Sequence, residues 1–542
     1  MATVSIILIL LLAVVASSFV SRIIPWAIPL PLLQVALGAA IALSTGTRVE
    51  LTPEIFFVLF LPPLLFLDGW RIPKIGLFRD MSTILELSLG LVIFTVVGMG
   101  FFINWLIPAM PLPVAFALAA VISPTDPVAV SAIASRTPIP KRLMHILEGE
   151  SLLNDASGLV CLRFAVAAAL TGTFSLTHAS LTFLYLAIGG ITVGFALTLV
   201  ITRIKTWIAR RYGEETGTQI LISLLIPFGA YIVAEHLHCS GIIAAVAAGI
   251  TMSYAEATGQ ALAATRVRRN AVWDTVHFAA NGIIFVLLGE QLPGIAKEAA
   301  HIVRETGHHD EWWLALYIFS IMLGVIVLRF GWVWVSFHLT LFRHKNYTKK
   351  HMFRLAAATS VAGVKGAITL AGILTLPLAL SDGTPFPARD LAIFLAAGVI
   401  ILSILTASFA LPRLLSGLDL PHESLHDAEE DQARIAAAHA AIKALELASH
   451  DMAAGRADAD IYTEVSARVM EMYRNRLDSH LEDDQAREEF QKLEHIERAM
   501  RLVALKAERD EIFRLNRKRK IDDDVMRKLV REIDLLEAQY AS

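Results

Sequence analysis

Charged residues are scarce in this sequence. They make up 18% of the 542 residues, whereas 55% are hydrophobic; a soluble protein carries about a quarter charged residues. The shortage is uneven, because residues 419–542 hold 20 Lys and Arg and 29 Asp and Glu, about half of all the charges. We therefore predict a transmembrane domain at 1–415 and a charged cytoplasmic helical domain at 416–542.

Other features are also missing. The two cysteines, Cys161 and Cys239, lie in apolar runs, which excludes a disulfide framework and argues against a cysteine metal site. The net charge of −3 argues against nucleic-acid binding. The sequence contains no GxxxxGK[ST] motif, so we expect neither a nucleotide site nor an ATP-driven pump. No cofactor is expected. No Lys or Arg precedes the apolar stretch 2–20, so we interpret it as a spanning helix and not a secretory signal.

Long apolar stretches dominate the first three quarters of the chain. A spanning helix needs about 20 mostly apolar residues, and we predict about thirteen spans: 2–20, 28–44, 54–68, 81–106, 113–133, 142–171, 180–202, 217–237, 239–253, 272–290, 312–338, 354–380 and 388–413. The loops after odd-numbered spans carry 19 Lys and Arg, and those after even-numbered spans carry four. The positive-inside rule then places the N-terminus outside and the tail in the cytoplasm of an inner membrane. The predicted fold is an all-α polytopic membrane protein with a helical soluble tail.

The fifth predicted span contains the sequence Ser-Pro-Thr-Asp-Pro at 123–127. Two prolines three residues apart should unwind the helix, and unwound backbone within a membrane is tolerated where it lines a cavity or is buried in protein. Free carbonyls there can coordinate a cation. Asp126 would offset the positive end of the following half-helix. The alternative is a proline kink with a capping aspartate.

The sixth predicted span contains Ser151, Asn154 and Asp155. Ser151 and Asp155 are four residues apart and share a helix face, which Asn154 borders. A hydroxyl, an amide and a carboxylate make an oxygen-rich surface suited to a monovalent cation. The alternative is a polar contact between helices.

The twelfth predicted span has a charge between two glycines, in Gly363-Val364-Lys365-Gly366. This is a second candidate helix break, and two interrupted helices at corresponding places in two halves indicate a transporter site. Lys365 would offset the negative end of a half-helix there. The alternative is close helix packing through glycine, with Lys365 reaching an interface.

These segments resemble the monovalent cation:proton antiporter family that includes the bacterial NhaP proteins and animal sodium/proton exchangers. The matching pieces are SPTDPVAV at 123–130, GESLLNDASG at 149–158, SGIIAAVAAG at 240–249 and GVKGAITL at 363–370. The Asn-Asp pair marks one branch of the family. The resemblance implies inverted repeats with two crossed discontinuous helices, a homodimer, and electroneutral exchange of one cation for one proton.

The resemblance also implies roles for individual residues. Asp155 would carry the cation and the proton, with Ser151, Asn154 and the Thr125 backbone beside it, so that Na⁺ would bind at Asp155, Ser151 and Thr125. Asp126 and Lys365 would balance the half-helix ends, and Asp126 is also counted among the cation-binding residues.

The resemblance also implies one ion pair, and this chain differs from many relatives at two positions. Glu150 and Arg329 would form a buried ion pair. Many relatives have Arg in place of Lys365. Many also place an acid where this chain has Leu67, whereas here the acid comes one residue later, at Asp68. We count Asp68 among the cation-binding residues and leave open whether it joins the site.

The predicted function is exchange of Na⁺, with K⁺ or Li⁺ as alternatives, for H⁺. A buried carboxylate favours its neutral form, so a proton and a cation can compete for Asp155. A K⁺/H⁺ antiporter regulated by its tail is an alternative, and a cation channel, a membrane sensor and a membrane enzyme are weaker ones. For the tail, apolar positions at helical spacing within 486–539 predict a helical module that regulates or helps to dimerise the exchanger.

Overall fold

The structure is a computed structural model that describes residues 2–24, 28–45, 53–126, 141–172, 176–257, 263–305, 312–337, 349–380, 383–415, 424–453, 459–478 and 484–541. The helices in these ranges are α1 Ala2–Ile23, α2 Leu30–Thr45, α3 Pro53–Arg71, α4 Lys74–Arg79, α5 Met81–Leu106, α6 Leu112–Ile122, α7 Lys141–Thr171, α8 Leu176–Tyr212, α9 Thr216–His236, α10 Gly241–Ala257, α11 Ala263–Glu305, α12 Trp312–Ser336, α13 Lys349–Val361, α14 Ala367–Leu374, α15 Arg389–Leu415, α16 Ser424–Ala453, α17 Ala459–Asp478, α18 Asp484–Arg517 and α19 Asp523–Ala541. Helix α5 contains a π-helical turn at Glu86–Leu91. Apart from one β-bridge between Ala379 and Pro385, the regular structure of these ranges is helical, so the all-α prediction is confirmed.

Many of these helices are apolar enough to cross a bilayer. By length and composition, eight qualify among the described residues: Ser5–Ile23, Met81–Leu106, Met144–Thr171, Leu181–Tyr212, Thr216–His236, Thr265–Ala296, Trp312–Ser336 and Arg389–Leu415. Four shorter apolar helices are Leu30–Ser44, Leu112–Ile122, Gly241–Glu256 and Met352–Val361. The chain is a multi-span membrane protein. The total of thirteen spans stays a prediction, since parts of the chain such as 127–140 lie outside the described residues.

Two helices end at breaks within the apolar region. Helix α6 ends at Ile122, and residues 123–126, the first break, continue without helical structure. Helix α13 ends at Val361, and residues 362–366, the second break, are non-helical before α14 begins at Ala367. Both breaks fall where the proline and glycine patterns predict them. The segment after Asp126 lies outside the described residues, so the full crossing of two discontinuous helices and the inverted repeat stay predictions.

The two breaks touch each other. The main-chain N–H of Asp126 donates a 2.7 Å hydrogen bond to the carbonyl of Val364. Gly366 lies so close that a Cβ at this position would overlap the Asp126 carboxylate. A glycine is therefore required where the second break passes the first.

The helices of the membrane part pack in two groups. Helices α1–α3 pack with α8–α11, and α5–α7 pack with α12–α15. Close approach within the first group is visible where Gly249 of α10 lies against the carbonyl of Phe66 in α3. Helix α3 of the first group contacts α7 and α14 of the second, and α11 contacts α14 and α15. This boundary is where the candidate site lies.

The chain forms two compact units, Met1–Leu418 and Asp419–Ser542. The second unit contains α16 packed on α17 and α18 packed on α19. Helix α19 is strongly amphipathic, and its inward face includes Ile533, which is 5% exposed. The second unit thus buries apolar side chains of its own.

Candidate functional site

A cavity lies between the two helix groups of the membrane part. Its lining residues are Leu64, Asp68, Pro124, Thr125, Asp126, Ser151, Asp155, His277, Asn281, Gly366, Ile368 and Thr369. Helices α3 and α11 supply four of them, and the two breaks together with α7 and α14 supply the other eight. Three carboxylates, several hydroxyls and one amide therefore face a common space.

Helix α7 supplies Ser151 and Asp155 from one face, as their four-residue spacing predicts. Both are buried, Asp155 at 7% and Ser151 at 6% exposure. Helix α7 approaches the first break closely, because Gly158 leaves room for the ring of Pro124. A buried carboxylate in a cavity wall is costly to keep charged without a counter-charge. Asp155 is thus placed where a proton or a cation would stabilise it.

The Thr125 hydroxyl links the first break to α7. It donates a 3.2 Å hydrogen bond to Glu150 Oε1 and accepts a 2.9 Å bond from Asn154 Nδ2. All three side chains are buried. Asn154 Oδ1 is buried without a hydrogen-bond partner among the described residues. The two residues of the Asn-Asp pair therefore make different contacts. Asn154 binds Thr125 of the first break, and Asp155 faces the cavity.

Glu150 and Arg329 form a buried ion pair. The guanidinium donates two bonds to the carboxylate, at 2.5 and 2.7 Å, and Nε donates to the Thr359 carbonyl at 3.2 Å. The side chains are 1% and 4% exposed. Since both Glu150 oxygens accept from Arg329, this acid is held in α7 as a structural group beside the cavity and does not line it.

Lys365 is completely buried at 0% exposure. Its Nζ donates 3.0 Å hydrogen bonds to the carbonyls of Ser123 and Pro124, and its own main-chain N–H donates to Ser403 Oγ at 3.0 Å. The last carbonyls of a helix have no helical partners and carry partial negative charge. The ammonium group thus neutralises the C-terminal end of α6, where the first break begins.

The acids Asp126 and Asp68 also line the cavity, the first half-buried and the second exposed. Asp68, whose place in the site the sequence leaves open, lies near the end of α3 on the cavity wall. Helix α11 contributes a pair of side chains that the sequence analysis did not assign to the site. His277 and Asn281 lie one helical turn apart, their side-chain nitrogens 3.0 Å from each other. Their spacing of four residues, which puts both on one face of a helix, is the feature of the sequence that could have identified them.

The polar groups that face the cavity are mainly oxygen donors. Within the described residues, no three His, Cys, Asp or Glu side chains form a cluster that could hold a metal ion. The cavity instead mixes carboxylate, hydroxyl and amide oxygens with main-chain groups of a helix break. Oxygen ligands of this kind suit hard cations.

Comparison with known proteins identifies the family. A family model described as "Sodium/hydrogen exchanger, transmembrane" matches residues 7–417. The chain belongs to this family. It is therefore a membrane transporter and not an enzyme, as the sequence predicted.

Full-length relatives of this exchanger are known. It is 43% identical over 543 residues to the Na(+)/H(+) exchanger YjcE of Escherichia coli (strain K12), named as uncharacterized, with 98% of each chain covered. It is 38% identical over 543 residues to the "Sodium, potassium, lithium and rubidium/H(+) antiporter" of Bacillus pumilus (strain SAFR-032), covering 99% of this chain and 78% of that protein. The similarity therefore includes the tail.

A solved structure shares the fold. The sodium proton antiporter MjNhaP1 from Methanocaldococcus jannaschii matches with a TM-score of 0.58 at 20% identity, covering 77% of this chain and 99% of that one. At this identity the match supports the architecture of the membrane part.

Proposed function

We propose that this exchanger moves Na⁺, K⁺ or Li⁺ against H⁺, one cation for one proton, by competition of the two ions for Asp155. One observation carries the proposal: Asp155 is a buried carboxylate on the wall of a cavity that lies between two helix groups. The other buried charges beside the site, Glu150, Arg329 and Lys365, make hydrogen bonds within the protein. Asp155 is therefore the buried acid that lines the cavity.

The cation would be held by Asp155 and Ser151 from α7 and by the main chain of Thr125. The Thr125 hydroxyl is engaged by Glu150 and Asn154, so its carbonyl oxygen is the more available ligand. Asp126 and Asp68 would contribute negative potential and transient ligands along the cavity. Oxygens from two groups of helices leave the ligand shell adaptable in size, which favours several alkali cations. The sodium, potassium, lithium and rubidium ions in the name of the Bacillus pumilus relative are consistent with this choice.

Alternating access follows from where the cavity lies. Eight lining residues belong to one helix group and four to the other, so a shift between the groups would open the cavity to one side or the other. Only a neutralised Asp155 would allow that shift, because a bare buried carboxylate is costly. Protonation and cation binding both neutralise it, and the two alternatives together give electroneutral exchange.

For the assembly and orientation we propose a homodimer in a cytoplasmic (inner) membrane, with the N-terminus outside and residues 416–542 in the cytoplasm. The orientation rests on the excess of Lys and Arg in loops after odd-numbered spans. A channel is the rival function. It would need a continuous pore through the membrane, whereas one buried acid on the wall of a cavity suits competition between a cation and a proton.

Flux in sealed proteoliposomes with an outward ΔpH tests the proposal. NaCl, KCl or LiCl is added in turn to the wild type, to Asp155→Asn and to Glu235→Gln, and a potassium–valinomycin clamp is applied in the Na⁺ and Li⁺ runs. Glu235 is a matched control because it pairs with Arg163 at 3.3 Å and does not line the cavity. We expect the wild type and Glu235→Gln to dissipate ΔpH with little effect of the clamp, and Asp155→Asn to be inactive. Exchange by Asp155→Asn, or a flux that follows the membrane potential, would contradict the proposal.

A further inference from the structure

Helix α18 of the second unit carries apolar side chains on two opposite faces. One face is covered by α19, since Leu505 is 7% exposed and Ile533 of α19 is 5% exposed. Arg509 of α18 forms ion pairs with Asp534, at 2.9 Å, and with Glu537 of α19. These two helices therefore make a hairpin with its own small core.

The opposite face of α18 is uncovered. Leu493, Ile496, Met500 and Val503 are 60%, 41%, 68% and 69% exposed. Their spacing of three, four and three residues places them at successive a and d positions of a heptad, while Leu505 falls at f, on the far side. A contiguous stripe of exposed apolar side chains marks an interaction surface.

We propose that this stripe, residues 493–503, pairs with the same stripe of a second copy of the chain as a parallel, in-register coiled coil. Charge complementarity selects this partner and direction. At the flanking positions, Lys492 (g) would face Glu497 (e) of the second copy, and Lys506 (g) would face Glu511 (e). Such g–e pairs set partner choice and orientation in coiled coils.

An antiparallel arrangement has the opposite charge pattern. It sets g against g and e against e, so that Lys492 would face Lys506 and Glu497 would face its own counterpart. In the single chain, Glu497 pairs with Arg501 and Glu511 accepts a bond from Arg514, each at 2.5 Å. A carboxylate has lone pairs for a second cation, so these local pairs are compatible with the lysine contacts.

The length and charge of the stripe support pairing between tails over binding to a membrane surface. Helix α18 carries eight acidic and eight basic residues, and so lacks the positive charge that favours anionic lipid. Asp510 lies at the d position of the heptad after Val503. It would repel Asp510 of the second copy, which limits the seam to about two heptads. So short a seam forms when the two tails are held together at high effective concentration, as in a membrane-embedded dimer.

Cysteine cross-linking of the full chain in proteoliposomes tests the pairing. Ile496→Cys and Val503→Cys, both at d, are oxidised with copper phenanthroline beside the wild type, which controls for Cys161 and Cys239. His495→Cys is the matched control, since His495 is exposed one residue away but lies at c. We expect a disulfide-linked dimer at 496 and 503 and none at 495. Equal cross-linking at 495 and 496, or none at either d position, would overturn the proposal.

A charge-swap series tests the direction of the helices. In the Ile496→Cys chain, Lys492→Glu with Lys506→Glu should abolish the cross-link, and adding Glu497→Lys and Glu511→Lys should restore it. Failure of the fourfold variant to restore it would refute the parallel register. A fluorophore on Met500→Cys that is quenched by spin-labelled lipid would instead place the stripe on the bilayer. Each variant is also made in Asp155→Asn, so that the outcome does not depend on transport.

Discussion

The Glu150 carboxylate accepts two hydrogen bonds from the Arg329 guanidinium, at 2.5 and 2.7 Å, inside the membrane part of the chain. The pair ties α7, which carries Asp155, to α12. It also holds the Thr125 hydroxyl, which donates to the same Glu150 Oε1 atom. The site is therefore positioned by an ion pair that does not itself line the cavity but contacts it through Thr125.

Removing one partner of this ion pair should destabilise the protein. Arg329→Met leaves the Glu150 carboxylate buried and uncompensated, which costs about 3–5 kcal/mol. The thermal unfolding midpoint of the purified exchanger measures this. Arg329→Met combined with Glu150→Gln should recover much of the loss, because the buried charge is then gone. An Arg329→Met variant as stable as the wild type would show that the pair is not needed.

Lys365 should tolerate arginine better than an apolar residue. Its ammonium satisfies two carbonyls at the end of α6, and each buried unsatisfied group costs about 1–3 kcal/mol. Lys365→Met should therefore lower the unfolding midpoint and abolish exchange. Lys365→Arg keeps the charge and should retain exchange, although the larger guanidinium must fit a fully buried position. Retained exchange in Lys365→Met would contradict the charge-balancing role.

Gly366 should not tolerate a side chain. A Cβ there would overlap the Asp126 carboxylate, so Gly366→Ala must displace either Asp126 or the second break. We expect loss of exchange in the proteoliposome assay. Gly331→Ala is the matched control, because nothing lies within 4 Å of a Cβ at that position. Normal exchange by Gly366→Ala would mean that the contact between the two breaks is not part of the transport cycle.

Competition for one carboxylate fixes the sign of the pH dependence. As pH falls below the pKa of the carrier group, protons occupy it, and the apparent KM for the cation should rise by about tenfold per pH unit. The maximal rate at saturating cation should change less. Initial rates over a matrix of pH and Na⁺ concentration measure both. An apparent KM that does not change with pH would exclude competition at a shared site.

Much of the architecture was predictable from the sequence, because apolar length and Pro or Gly breaks act locally. The breaks at 123–126 and 362–366 and the shared face of Ser151 and Asp155 follow from such rules. Contacts between distant segments did not follow from pattern alone. Examples are the Thr359 carbonyl that accepts from Arg329, the Ser403 hydroxyl that accepts from Lys365, and the α11 pair His277 and Asn281. These depend on how helices pack, which local periodicity does not encode.

The most direct test of the central claim is proton release on cation binding. NaCl is added to purified exchanger in weak buffer near neutral pH, with choline chloride as the ionic-strength control, and released protons are measured with a pH dye. Competition at Asp155 predicts release that saturates with Na⁺ and does not exceed one proton per chain in the wild type, with none in Asp155→Asn. Equal release by both proteins, or cation binding without release at any pH, would contradict the account.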